Sequence, residues 1–572
     1  MCDKLVYDLS QEVEGTPNIF IRKDWINIMD NMNTNYQSNQ SIIDTSQLSN
    51  SNKWMSYREA YLAVPLLLTI TGDKATDDFN MNDYSFGLKN WFGSIIHSLT
   101  LDYNGTTIIQ QTPFVNMWNM FKLLTSLSYG DVATMGATIG FYPDNFNSFQ
   151  YNGDIPNSVG FGICNNQMAT VATYASNLAS NIYDAYFADT GGNQGLTMRT
   201  KWIMYDPDAT AGTQPYSSLL TSDQSNIIWK SSIFQGGYST LQTAQKAPNF
   251  QANIMAIIYL RHLASFFNMI PLLKGVFMKM TLNLNNTNQT VSVLNGVFTN
   301  INSPSIPVGG VNPILIPSIT TGSSWITTAY ASATSAQNIT YNLSVGSKVL
   351  GLSGTFSQGQ IAQSIYLYVP AYSFNPTFEE AYLSSSPKTI RYTDIYQYQV
   401  LNQGSNINTL VSNGIANIKS VLIIPFLTTI PTNASGGVMT NEWQSPFDTA
   451  GCGTTAPLVS LTNFNIQISG QNAIYNTQRY NWEEFVNQLY GENAVNGGMT
   501  DGLTSGLIDF IAFQNSACYY YVNVERMLPV EKSVPKSVQI IGTNNTPNPI
   551  NLWVFVEYET DIRIDLYTGA RI

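Results

Sequence analysis

The stretch Val64-Pro65-Leu66-Leu67-Leu68-Thr69-Ile70 returns later in the chain as Ile424-Pro425-Phe426-Leu427-Thr428-Thr429-Ile430. Each is a short apolar run with a proline at its second position, and the two prolines stand 360 positions apart. Other landmarks repeat in the same order. An alternating strand ends in Asn104-Gly105 and leads into an amphipathic helix; its counterpart ends in Ser469-Gly470, 365 positions on, and leads into a second such helix. Met269-Ile270-Pro271 with Asn285-Asn286-Thr287 answers to Met527-Leu528-Pro529 with Asn544-Asn545-Thr546. Similar landmarks in one order at nearly constant separation indicate a duplicated domain. Two copies are too few for a solenoid, so the chain reads as a pair of related domains.

Composition supports two large β domains. Of 572 residues only 11% are charged, about half the usual share, while apolar residues reach 44%. Asn, Ser, Thr and Tyr are abundant, and Thr, Tyr, Val and Ile suit strands. The net charge of −12 argues against a nucleic-acid grip, which needs clustered Lys and Arg to displace counterions. The N-terminus lacks the charged-then-apolar layout of a signal peptide. The longest apolar-rich stretch, Ile254 to Met280, is broken by Arg261, His262, Pro271 and Lys274, so no transmembrane segment is expected. The expectation is a soluble protein made in the cytosol. Cys2, Cys164, Cys452 and Cys518 are scattered, without the close pairs of zinc or redox sites, and read as buried or incidental thiols.

Local patterns place the elements. Ile95 to Tyr103 alternates with period 2, and Asn104-Gly105 supplies the positive φ angles of a tight hairpin before a return strand at Thr107 to Ile109. Arg58 to Ile70 reads as a strand whose proline suits an edge or a start. Thr112 is the expected N-cap of the next helix, with Pro113 at its first position and Phe114, Met117, Trp118, Phe121 and Leu124 in one stripe. In the second half Asn481 and Glu484 have capping-box spacing, and Trp482, Phe485, Val486, Leu489 and Tyr490 form the stripe. Both stripes are expected to bury against sheets and to anchor equivalent helices. Further strands are expected at Asn338 to Val345, Ile365 to Tyr372, Thr389 to Val400, Leu552 to Tyr558 and Ile562 to Tyr567.

The two halves differ in length between matched landmarks. The first carries roughly 107 extra residues, mostly about 128–251, read as an outward loop elaboration with some β structure. Ser303 to Ser335, rich in Pro, Gly, Ser and Thr, suggests a boundary near residue 310. The expected organisation is thus 1–310, with an N-terminal arm and the long insertion, followed by 311–572. Short strands, Gly and Asn turns and long loops make both domains antiparallel β-sandwiches in an all-β chain.

Several segments resemble a known family. They are Leu367-Tyr368-Val369-Pro370-Ala371-Tyr372 with Asn375-Pro376, then Glu379-Glu380-Ala381-Tyr382-Leu383, and Lys388 to Asp394. Asn413-Gly414-Ile415 leading to Ile423-Ile424-Pro425-Phe426 belongs with them, as does Ile468-Ser469-Gly470-Gln471-Asn472 leading to Tyr480 and Phe485. They resemble the double jelly-roll major capsid proteins of polinton-like viruses and virophages, in the adenovirus-type double-stranded DNA virus lineage, clearest over Ile365 to Ile572. The first of these segments resembles the opening of the second jelly roll. The resemblance implies two tandem jelly rolls, a homotrimer whose six jelly rolls form a pseudo-hexameric capsomer, an icosahedral shell and a place in the virion. Neighbouring capsomers, penton and minor capsid or cement proteins are the implied partners, with no sequence-specific nucleic-acid contact. The first-half insertion would be the outward crown, and residues 1–52 suit a swapped arm that covers exposed sheet edges.

Other functions have less to stand on. Only two histidines exist, His97 and His262, and neither belongs to a Ser-His-Asp spacing. No nucleophile elbow, phosphate loop or zinc-binding pair occurs. Glu379-Glu380 and Glu483-Glu484 are paired carboxylates, which glycosidases use, but Glu483 and Glu484 fall on the exposed side of a helix. A carbohydrate- or receptor-binding β-sandwich protein, such as a viral fibre or lectin, is the alternative, with a β-sandwich glycosidase behind it. Tyr519-Tyr520-Tyr521 is a conceivable stacking platform but reads better as a buried or interface strand. The expectation is a capsid protein without catalytic, cofactor-binding or metal-binding residues.

Overall fold

The computed structural model describes residues 18–36, 38–49, 51–72, 87–89, 91–143, 234–239, 249–294, 297–302, 311–315, 337–346, 364–428, 459–474, 480–493, 507–510, 513, 519–524, 533–546 and 549–572. The elements run in order β1 (Phe20–Met29), β2 (Gln40–Asp44), β3 (Tyr61–Gly72), β4 (Ile96–Tyr103), β5 (Thr106–Ile109), α1 (Val115–Ser126) and α2 (Tyr129–Ile139). They continue with β6 (Asn249–Tyr259), β7 (Met278–Leu284), β8 (Thr287–Leu294), β9 (Val297–Asn302), β10 (Gln337–Val345) and β11 (Tyr366–Phe374). After α3 (Pro376–Leu383) come β12 (Lys388–Gln403), β13 (Asn406–Ile415), β14 (Ile418–Leu427), β15 (Leu461–Ile468), β16 (Gln471–Asn472), α4 (Trp482–Asn493), β17 (Tyr520–Asn523), β18 (Lys536–Asn544) and β19 (Ile550–Ile564).

Hydrogen bonding sorts these strands into two sandwiches built to one plan. In the first, the sheets run β1–β11–β3–β6 and β2–β7–β4–β5. In the second they run β12–β19–β14–β17 and β13–β18–β15–β16. With β8, β9 and β10 set aside, an extension that joins the first sheet through β3, the strands numbered within each sandwich run one-eight-three-six and two-seven-four-five both times, with every pairing antiparallel. That is the jelly-roll connection, and the chain contains it twice. Val64-Pro65 and Ile424-Pro425 occupy the third strand of each roll, and Asn285 and Asn544 fall at the end of the seventh. The turns between the fourth and fifth strands match as well. Asn104 and Gly105 have φ of 47° and 80°, Ser469 and Gly470 φ of 50° and 82°, the left-handed pair that a two-residue hairpin requires.

Period-2 patterning explains the cores. Leu367, Val369 and Ala371 of β11 point inward and are fully buried, as are Leu552, Val554 and Val556 of β19. Ile28, Leu62, Val64, Leu282 and Leu284 extend the first core, and Val421, Ile423, Ile466, Val538 and Ile540 the second. Among the described residues no helix is long and apolar enough to cross a membrane.

Four expectations are corrected. The division of the chain falls after Phe374, not near residue 310, because β11 pairs with β1 from Phe20↔Phe374 to Met29↔Tyr366 and closes the first sheet. Strands β10 and β11 of the first sheet thus follow the Pro/Gly/Ser-rich stretch in chain order, and Leu367 to Tyr372 is the first roll's last strand, not the opening of the second. Secondly, residues 18–49 are not an arm: β1 and β2 are the first strands of the sandwich. Thirdly, Pro65 is in the interior of its sheet. β3 pairs with β11 over Tyr61–Ala63 and with β10 over Leu66–Gly72 on the same side, while β6 runs along the other. The Pro65 carbonyl accepts from Gly346 N at 2.9 Å, so the missing N–H faces the junction where β11 gives way to β10. Finally, Leu552 to Tyr558 and Ile562 to Ile564 belong to one continuous strand, β19, along β12, and Leu566 and Tyr567 fall in the turn that follows it.

The long first-half insertion is described only in part. Ser128 caps α2 through the Asp131 amide while Asp131 reaches back to Ser128 N, a full capping box. Residues 144–233 of the expected crown, all four cysteines and Met527-Leu528-Pro529 lie outside the described residues.

Candidate assembly surfaces

A chain made of two like sandwiches poses the question of how they join, and α1 supplies most of the joint. Thr112 does not cap this helix; Phe114, with φ of 57°, precedes its first residue. The Thr112 hydroxyl instead donates to Ile395 O of the second sandwich at 2.9 Å. Helical spacing then gives α1 two buried sides. Met117, Met120 and Leu124 are buried, and α1 packs on β4 of its own roll. Phe114, Trp118 and Phe121 face the other roll, where their rings lie 5.8 Å from Trp553, 6.2 Å from Phe555 and 5.4 Å from Tyr521. Trp118 and Phe121 thus anchor the helix to the neighbouring sandwich, whereas Trp482 and Phe485 of α4 pack on Phe513 within their own roll. Asn481 accepts the Glu484 amide at 3.1 Å, which is half of the expected capping box.

Polar groups complete the seam. Tyr392 OH donates to Ile108 O at 2.7 Å, and the Ser265 hydroxyl donates to Thr393 O at 2.7 Å while accepting from Thr393 N at 2.8 Å. Tyr103 OH and Asn104 Nδ2 both donate to Gly569 O at 2.8 Å. Lys122 Nζ lies 3.7 Å from the buried Glu557 carboxylate, which also accepts from the Ser420 hydroxyl at 2.7 Å. A cleft of about 810 Å³ remains between the rolls, lined by Lys122, Arg261, Arg391, Asp394 and Glu557 among others. Burial pushes Asp394 up to about 6, partly offset by hydrogen bonds from the Ile395 and Gln110 amides and Tyr558.

The sequence candidates for chemistry take structural places. His97 is buried, edge-on to Phe114 at 5.4 Å, and burial lowers its pKa to about 4. His262 lines the inter-roll cleft and is likewise lowered to about 4, by burial and then by the Arg261 charge. Glu379 accepts from Trp54 Nε1 at 2.9 Å and from Lys274 Nζ at 3.3 Å, tying α3 to the first sandwich. Glu483 is exposed on α4. Tyr519, Tyr520 and Tyr521 are all buried, so they offer no stacking platform, and two of them receive Phe121. Among the described residues no group of three or more His, Cys, Asp or Glu could hold a metal.

Sequence reasoning missed a second surface. The sheet face that α1 covers in the second roll carries Trp553, Phe555 and Glu557 of β19. The equivalent face of the first roll carries Tyr366 and Tyr368 of β11, beside Trp25 and Met29 of β1. Trp25 is 51% exposed and Met29 47%. Tyr61 stacks on Tyr368 at 5.1 Å and meets Trp25 at 5.7 Å, forming a continuous aromatic patch. The signal was present in β1, where Trp25 and Met29 alternate with Ile26 and Ile28. A strand apolar on both faces is one that expects cover on both.

No protein-family model and no curated protein matches the chain. Solved structures similar to it include the mavirus major capsid protein, at 11% identity and a TM-score of 0.46 over 99% of this chain and 92% of that one. The faustovirus major capsid protein is similar at 9% identity and a TM-score of 0.42, over 94% and 90%. The PBCV-1 virus capsid is similar at 8% identity and a TM-score of 0.32, over 96% of each chain.

Proposed function

We propose that the chain is the major capsid subunit of an icosahedral double-stranded DNA virus, acting by self-assembly without catalysis. The observation that carries the proposal is the strand-for-strand duplication of a jelly roll within one chain, with the two rolls held side by side by a buried aromatic seam. Three copies of such a chain supply six similar units, and a six-unit capsomer can meet six neighbours in a closed lattice. The low charge content suits large polar and aromatic contacts between capsomers, since charge is depleted at interface cores. Neighbouring capsomers, penton and minor capsid proteins would be its partners in the virion, and the net charge of −12 leaves genome contact to other components.

The test is the solution mass of the purified chain with negative-stain images of the same peak. A trimer, three times the chain mass of 63.3 kDa, with a hexagonal outline is the expected result. A 63.3 kDa monomer under all salt conditions would remove the proposal.

A further inference from the structure

We propose that the cleft between the two rolls binds an acidic peptide segment of a partner protein, whose carboxylates are received by Arg261, Arg391 and Asn119. The inference goes beyond the capsid-subunit reading and does not depend on it, since the cleft lies within one chain.

Charge pairing carries the argument. Four carboxylates and four Lys or Arg side chains line this cleft of about 810 Å³. Every one of the carboxylates is already engaged. Glu557 is held by Lys122 and the Ser420 hydroxyl, and Glu559 lies 3.9 Å from Lys419 Nζ. Asp131 closes the capping box of α2, and Asp394 accepts from the Ile395 amide at 2.9 Å and from Tyr558 OH at 3.2 Å. Lys122 and Lys419 are thereby taken up. His262, lowered to about 4 chiefly by burial, adds no charge near neutral pH. The cations left over are Arg261 and Arg391. Among the described residues neither forms an ion pair, although Asp561 stands opposite Arg391 on β19.

A third open group lies on the same wall. Asn119 of α1 lines the cleft at 4% exposure, and its Nδ2 has no hydrogen-bond partner. The open groups are thus all donors, and their complement is an anion rich in acceptors. A guanidinium fork matches a carboxylate bidentately. The Arg261 guanidinium also lies 4.9 Å from the centre of the Tyr259 ring, a contact that orients it without neutralising it.

A peptide fits better than a small ion. The cleft has the volume of a site for a larger ligand, and Trp118, Leu123 and Met269 give it apolar wall between polar groups. The net charge of −12 opposes an acidic ligand at long range, but salt of about 0.1 M confines that repulsion to about 10 Å.

The test is fluorescence anisotropy of a fluorescein-labelled peptide, two leucines between two glutamates, titrated with the intact chain in about 0.1 M salt. Saturable binding is expected, and none for the peptide with lysines in place of the glutamates. Arg261→Gln and Arg391→Gln should each weaken binding about tenfold, and Asn119→Asp should weaken it by turning a donor into a charged acceptor. Arg22→Gln, outside the cleft, should leave it unchanged. Melting curves confirm that each variant folds. No saturable binding to the unaltered chain, or unchanged affinity in both folded arginine variants, would overturn the inference. Displacement by succinate or inorganic phosphate at the concentrations at which unlabelled peptide competes would assign the cleft to small anions and overturn the peptide reading. Each of these results is read without reference to oligomeric state, so failure here leaves the capsid reading intact.

Discussion

Lys122 of α1 reaches across the seam to within 3.7 Å of the Glu557 carboxylate on β19, and its ammonium group lies 5.0 Å from the centre of the Trp118 ring. The Glu557 side chain is 3% exposed and that of Lys122 29%. Removing the lysine leaves a carboxylate buried with the Ser420 hydroxyl. Lys122→Met is expected to cost about 2 kcal/mol, less than for a fully enclosed pair because the lysine is partly solvated. Lys122→Met combined with Glu557→Gln should recover most of the loss. Urea unfolding midpoints of the three variants check both statements.

Phe121 and Phe485 are both fully enclosed, at 0% and 1% exposure, but they enclose different things. Replacing either with alanine should cost about 3 to 5 kcal/mol through lost burial and a residual cavity. Phe485→Ala is expected to lower the stability of the second roll alone. Phe121→Ala removes the ring that meets Tyr519 and Tyr521, and should let the rolls separate before either unfolds. Limited proteolysis in the 375–387 connection, faster in Phe121→Ala than in Phe485→Ala, is the distinguishing measurement. A Phe485→Ala cost below about 1 kcal/mol would contradict the enclosed position of that ring.

Asp394 gives the seam a pH dependence of defined sign. Its folded pKa is raised from 3.8 to about 6 by burial, so between these values the folded chain holds a proton that the unfolded chain has lost. Stability contributed by this group is therefore greatest below about pH 4 and declines as pH rises through 6, by up to about 3 kcal/mol. Asp394→Asn should remove that slope. The check is the difference in melting temperature between the two chains at pH 4.5 and 7.5, with the larger gain on acidification in the unaltered chain.

The paired hairpins permit a stabilising change. Ser469 adopts φ of 50°, as does Asn104 at 47° in the equivalent turn, but only asparagine takes this conformation with ease. Ser469→Asn should add about 0.5 kcal/mol, and Gly470→Ala, at φ of 82°, should cost about 1 kcal/mol. Thermal unfolding of both variants tests the turn assignment.

Much of the fold was legible because its signals are short-range. Strand β4, the Asn104-Gly105 turn and the α1 stripe each lie within a dozen residues, and their counterparts in the second roll could be matched by order alone. The Tyr519-Tyr520-Tyr521 run was correctly placed as buried or interface strand. The surfaces themselves were less legible. The α1 stripe announces burial without saying that Trp118 and Phe121 bury in the other sandwich, and Thr112 looks like a cap until its hydroxyl is found on Ile395 O.

By itself the sequence determined that the chain is built from strands, that one plan occurs twice, and where the matched turns and helices stand. Period and turn chemistry are properties of neighbouring residues and need no partner to be read. Only the tertiary structure decided that β11 belongs with β1, that the chain divides after Phe374, that Pro65 lies inside a sheet, and that the Trp25 face is open while its equivalent is covered. These outcomes depend on which strands lie side by side. That choice joins residues as far apart as Phe20 and Phe374, and it is made by packing, sheet twist and loop closure, which no local pattern records.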